Sequence, residues 1–143
     1  PETTVVSMKR IHTHFRLEIY WKPDRFVIGY ENGGQSRAWG FDQLQKKPVI
    51  NDQLADRSLL IVFDDESKTA FMFDRKLEDK ILTFERHAER LVDRETRSTW
   101  DSLHGRAVEG PLKGARLRLL PGIVSFTHAW KKFHPNTTVW ASE

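Results

Sequence analysis

Turn signals recur about every ten residues in this chain, and that spacing leaves room for short strands but for few long helices. Asn32-Gly33-Gly34 is the sharpest of them, because a tight hairpin turn needs φ > 0 at its central residues. Gly105, Gly110, Pro111, Gly114, Pro121 and Gly122 break up the stretch from Arg94 to Leu120 and just beyond. Between the signals the runs are β-like. Ile11, Thr13, Phe15, Leu17 and Ile19 alternate with His12, His14, Arg16, Glu18 and Tyr20, the period of a strand with one buried face. Arg25–Tyr30 and Gln35–Trp39 flank the glycine turn as paired strands. Phe41–Gln45 reads as a helical turn. Val49-Ile50 precede Asn51-Asp52, which read as another turn pair.

Ser58–Phe63 is a continuous apolar run whose length and β-branched content predict a strand buried on both faces. Thr69–Phe73 pairs back on it, Ile81–Glu85 continues the meander, and Leu91-Val92 opens another strand. Leu117, Leu119 and Leu120 suggest a short strand. Phe126, Ala129, Trp130 and Phe133 share one helical face, with Ser125 or Thr127 as cap and Pro135 as stop. Val139-Trp140 suits a terminal strand. The pattern predicts a mainly β fold (β-rich α+β), an antiparallel sandwich or partly open barrel. One or two short helices go with it, one of them near the C-terminus. One domain over residues 1–143 is expected, since no linker, repeat or low-complexity tract interrupts the chain.

Composition narrows the function classes. The 23 Lys+Arg and 20 Asp+Glu give a net charge of only +3, with both signs interleaved, which argues against nucleic acid. No run is apolar enough for a membrane span. Zero Cys excludes thiolate metal sites and Cys nucleophiles. His12 and His14 lie on one strand face, at a spacing that suits a shared metal, and Asp64-Asp65-Glu66 offers oxygen ligands on a loop. The blander readings are two solvent-facing histidines and a charged hairpin tip. His87, His104 and His128 are scattered, and His134 sits where it would bond the last helical carbonyls. No phosphate loop or nucleophile elbow appears. Asp93, Ser98 and His104 are the residue types of a triad, with no spacing to support one. Asn136-Thr137-Thr138 matches a glycosylation sequon. Trp100 beside short polar residues suggests a ring that pins loops to the core.

A specific set of motifs fills the C-terminal half. Val92-Asp93-Arg94-Glu95-Thr96-Arg97-Ser98-Thr99-Trp100 is followed by Leu103-His104-Gly105-Arg106-Ala107 and Gly110-Pro111-Leu112-Lys113-Gly114. Leu117 through Leu120-Pro121 comes next, and Trp130-Lys131-Lys132-Phe133-His134-Pro135-Asn136-Thr137 closes the set. Earlier, Val27-Ile28-Gly29, Asn32-Gly33, Arg37-Ala38-Trp39, Val49-Ile50-Asn51-Asp52 and Phe73-Asp74-Arg75 fall in matching order. The chain resembles, over roughly residues 26–140, a prokaryotic family known as domain of unknown function 3179.

The resemblance implies that relatives carry a Cys-x-x-Cys before the Phe-Asp-Arg and a His before the Val-x-Asn-Asp. Such a set suits a soft metal or thiol redox chemistry. Here those positions fall on Asp64, Ser67 and Lys47. If the loops meet as in relatives, Lys47 and Asp64 would form an ion pair. Relatives often follow an export signal, which favours an extracytoplasmic location over a cytoplasmic one.

The expectation is therefore a non-enzymatic binding or structural domain without the family's metal or thiol site. It has no cofactor, and its partner is an unidentified protein or small ligand. Asp93, Arg94, Thr96, Ser98, Trp100 and His134 are expected to act as fold devices. The alternative is a divalent-metal domain using His12 or His14 with the Asp64-Asp65-Glu66 loop. A third reading is a hydrolase or transferase with an unrecognised site.

Overall fold

The computed structural model describes residues 22–141. The alternating run over residues 11–20, with His12 and His14, lies outside them. After a 3-10 turn at Pro23–Arg25, β1 (Phe26–Asn32) and β2 (Gln35–Gly40) form the expected hairpin, Asn32 facing Gln35. Gly33 and Gly34 take φ of 59° and 80°, a left-handed pair that side chains rarely tolerate. A short helix α1 (Phe41–Lys46) follows and buries Phe41 and Leu44.

β3 (Val49–Leu54), β4 (Arg57–Asp64) and β5 (Thr69–Asp74) form an antiparallel three-stranded sheet with β4 in the middle. This sheet separates two cores, which explains the unbroken apolar run in β4. Strand side chains alternate between faces. Leu59, Ile61 and Phe63 enter one core with Ile28, Tyr30, Trp39, Phe41 and Leu44. Leu60 and Val62 enter the other with Phe73, Leu82, Phe84, Leu91 and Trp100. Each fully buried Leu or Ile contributes about 1.5–3 kcal/mol relative to exposure. A charge at Ile61 or Leu60 would open one core and leave the sheet's other face intact.

The second core is closed by the small pair β6 (Lys76–Leu77) and β7 (Lys80–Ile81) and by a four-stranded antiparallel sheet. That sheet comprises β8 (Phe84–His87), β9 (Arg90–Asp93), β10 (Thr99–Asp101) and β11 (Arg106–Glu109), in order β11-β10-β9-β8. The chain then returns to the first sheet. β12 (Ile123–Phe126) pairs antiparallel with β1, and α2 (Thr127–Phe133) packs over it. β13 (Thr138–Val139) then runs parallel to β2, giving the order β12-β1-β2-β13. Over the described residues the architecture is thus β-rich with two helices, one near the C-terminus. Its several sheets stack on shared cores, and among the described residues none closes into a barrel.

Four local expectations are corrected. Asn51-Asp52 is no turn: both sit inside β3, facing Leu60 and Leu59 of β4. Their polar side chains are absorbed by distant partners, so turn propensity loses to tertiary bonding. Leu117, Leu119 and Leu120 form no strand: Leu119 makes an isolated bridge to Phe73, and the Leu117 and Leu120 N–H groups donate singly to the Gly105 and Met72 carbonyls. Neither Ser125 nor Thr127 caps α2. Phe126 occupies that position without a side-chain bond, and the Thr127 hydroxyl donates to the Asp24 carbonyl instead. On the expected apolar face of α2 only Trp130 is buried; Phe126 and Phe133 are 59% and 77% exposed.

Candidate functional site

The strongest motif wraps the connection between β9 and β10. The turn closes because Arg97 takes φ of 63° and its N–H reaches the Asp93 carbonyl at 2.9 Å. The Asp93 side chain is fully buried. Its Oδ1 accepts Trp100 Nε1 at 2.8 Å and the Ser98 N–H at 3.2 Å. Its Oδ2 accepts the Thr96 N–H at 2.6 Å and the Thr96 hydroxyl at 2.8 Å. Ser98, also fully buried, shares a hydroxyl contact of 2.7 Å with Thr96 and accepts the Leu112 N–H at 3.0 Å. That last bond pulls the Gly110–Leu112 loop against the turn. Gly110 has to be glycine there: a Cβ would stand 2.8 Å from the Ser98 Cα, and its φ is 97°. Trp100 lies edge-on to Phe84 with ring centroids 5.5 Å apart and covers the network.

Such a carboxylate is saturated by donors and shielded from water, so it presents no lone pair to a substrate. Arg94 is on the outer side, its Nε 3.7 Å from the Glu85 carboxylate. His104 joins neither Asp93 nor Ser98; its Nδ1 is 2.8 Å from Asp101 Oδ2. His87 sits beside Glu85, and its hydrogen bond holds the Glu85 carboxyl below the usual range, with Arg94 adding to the effect.

Lys47, Asp64 and Ser67 come to one end of the β3–β4 hairpin. The Pro48 carbonyl accepts the Phe63 N–H and Val49 faces Val62, so the residues one step outward are neighbours. The expected ion pair does not form. The Lys47 ammonium stands 6.0 Å from the Trp140 ring centroid. Asp64 turns back on its own loop, accepting the Ser67 N–H at 3.0 Å and the Ser67 hydroxyl. Asp65 pairs with Lys68 at 2.8 Å. Asp64, Asp65, Arg86, Glu89 and Ser102 line, together with Trp100, a polar cavity of about 70 Å³. Among the described residues no three His, Cys, Asp or Glu side chains are grouped to hold a metal ion.

The closing motif is another internal clasp. Trp130 Nε1 donates to the Thr137 hydroxyl at 2.9 Å, and His134 stacks on the Trp130 ring at 3.8 Å. The helix's end is satisfied by the His134 backbone N–H rather than by its ring.

A further network was not legible as one site in the sequence. Asp52 accepts Arg37 Nη1 at 3.0 Å, Trp39 Nε1 at 3.0 Å and the Gln53 N–H at 2.7 Å. Arg75 donates to the carbonyls of Leu59, Leu82 and Asp52 at 2.7, 2.9 and 2.9 Å. Burial pulls the Arg75 guanidinium's pKa down, with Asp52 opposing. Three motif fragments of the first half, Arg37-Ala38-Trp39, Asn51-Asp52 and Phe73-Asp74-Arg75, converge here, and their shared membership of one family pattern was the available signal. The β12 edge and its neighbouring cavity were likewise missed, because Ile123–Phe126 is too short for a periodicity.

Among the described residues no helix is long and apolar enough to cross a membrane. The chain matches a family model described as protein of unknown function (DUF3179) over residues 9–137. No curated protein and no solved structure matches it.

Proposed function

The chain belongs to DUF3179, and for this member we propose a non-catalytic role: a β-rich binding domain that lacks the metal or thiol site of its relatives. The observation that supports this most directly is the closure of Asp64 on Ser67. The two positions that the resemblance assigns to thiols bond each other, and the third, Lys47, rests over Trp140. The polar groups of the Asp93 motif bond turns and loops in the same way. Apolar side chains on β12 and α2, Ile123, Val124, Phe126 and Phe133, face outward.

Restoring the site tests this. The triple variant Lys47→His, Asp64→Cys, Ser67→Cys should take up about one equivalent of a soft metal such as copper(I) or zinc, because thiolate and imidazole ligands select those ions. The unaltered protein should retain no stoichiometric transition metal after purification. Finding about one equivalent of zinc or copper in it, lost in His12→Ala, would overturn the proposal in favour of the metal-domain alternative.

A further inference from the structure

The first sheet ends at β12, whose outer edge has no strand partner among the described residues. Both faces of this edge strand continue buried layers. Val124 and Phe126 stand opposite Ile28 and Phe26 at the rim of the first core. Ile123 stands opposite Gly29, the residue on which Trp130 lies. Yet Ile123 and Val124 are 57% and 44% exposed. An unpaired edge lined by apolar side chains is a template for an added strand.

At the Phe126 end of that edge lies a cavity of about 420 Å³, lined by Asp24, Arg25, Phe126, Thr127, His128 and Lys131. That volume falls within the range of ligand pockets. Phe126 is one of its lining residues, and its ring stacks on Phe26 at 5.0 Å. His128 and Lys131 are three residues apart on α2 and share a face. Neither Arg25 nor Lys131 has an ion-pair partner among the described residues. One carboxylate, Asp24, stands against two permanent cations and an imidazole.

We propose that this edge binds an extended peptide of a partner protein in which apolar and acidic residues alternate. Its backbone pairs with β12, its apolar side chains cover Val124 and Phe126, and its carboxylates meet Arg25 and Lys131. A small anion would satisfy the cations and leave Val124 bare. An antiparallel pairing with a second copy would set the Phe126 end of one β12 beside the Ile123 end of the other and leave Arg25 and Lys131 without a counter-charge. The inference rests on the binding-domain reading and names the partner's chemistry.

The test is a fluorescence-anisotropy titration of the full chain with a labelled peptide, Ser-Glu-Val-Glu-Ile-Glu-Val-Ser. Saturable binding is expected, weakened ~tenfold or more by Arg25→Glu with Lys131→Glu. That double variant should instead prefer the same peptide with Lys in place of Glu, a gain that misfolding cannot imitate. Phe126→Ala should weaken binding without altering charge. Equal binding of a scrambled peptide, or no saturable binding, would overturn the proposal. So would a dimer in sedimentation that Phe126→Ala dissolves, because the occupant would then be a second copy. Metal analysis bears only on the site-loss reading, so failure of one leaves the other standing.

Discussion

Trp100 Nε1 donates to Asp93 Oδ1 across 2.8 Å, with both side chains buried. The first core uses the same device, Trp39 donating to Asp52 at 3.0 Å. In each case a large ring fills the core while its one polar atom meets a carboxylate that is also bonding a turn or a neighbouring strand. The pair therefore couples core packing to loop geometry.

Trp100→Ala is expected to cost about 3–5 kcal/mol, as removal of a large core aromatic does. Asp93→Ala should cost about 1–3 kcal/mol through the donors it orphans. The double variant should cost less than the sum, because both lose the same bond. Chemical denaturation of the three variants measures this. Unchanged stability in both single variants would make the stretch a ligand site.

Gly29→Ala should destabilise by about 1–3 kcal/mol through overpacking. A Cβ there would stand 2.5 Å from the Trp130 indole, which has to move. Displacing Trp130 also strains its bond to Thr137 and its stack on His134. A thermal melt with a shifted tryptophan emission is the expected record.

Arg75→Lys should be nearly as harmful as Arg75→Met. The planar guanidinium reaches three carbonyls on different strands and loops at once, and an ammonium cannot span them. The carbonyls left unpaired cost about 1–3 kcal/mol each at most. Denaturant midpoints of the two variants decide the point; a fully stable lysine variant would contradict it.

Acid sensitivity should carry a contribution from Asp101. The hydrogen bond from His104 holds its carboxyl below the ordinary range, against the opposing effect of burial, with the Leu103 N–H assisting. A pKa lowered on folding gives stability that is fully present above the unfolded value, about 3.9, and lost as pH falls through the folded one. His104→Ala should raise the Asp101 titration toward its ordinary value, read by carboxyl NMR. The stability difference between the two proteins should shrink as pH falls below about 4.

Local chemistry alone determined much of this protein. The Asn32-Gly33-Gly34 hairpin was legible because left-handed backbone is nearly a glycine property. Burial of β4 on two faces was legible because six consecutive apolar or small residues, Ser58–Phe63, leave no polar side to present. The order of motifs identified the family. Asn51 and Asp52 were misread because their turn-forming groups bond across the fold: Asn51 exchanges two hydrogen bonds of 2.8 Å with the Phe84 backbone, and Asp52 collects Arg37 and Trp39. No window of sequence contains those partners. The same holds for Lys47, which sits beside Asp64 along the hairpin yet points its ammonium at Trp140, a residue brought there by the C-terminal strand. Composition and spacing decide which elements form, since those depend on near neighbours. Which side chains meet, and which edge stays open at β12, is decided only when distant strands pack.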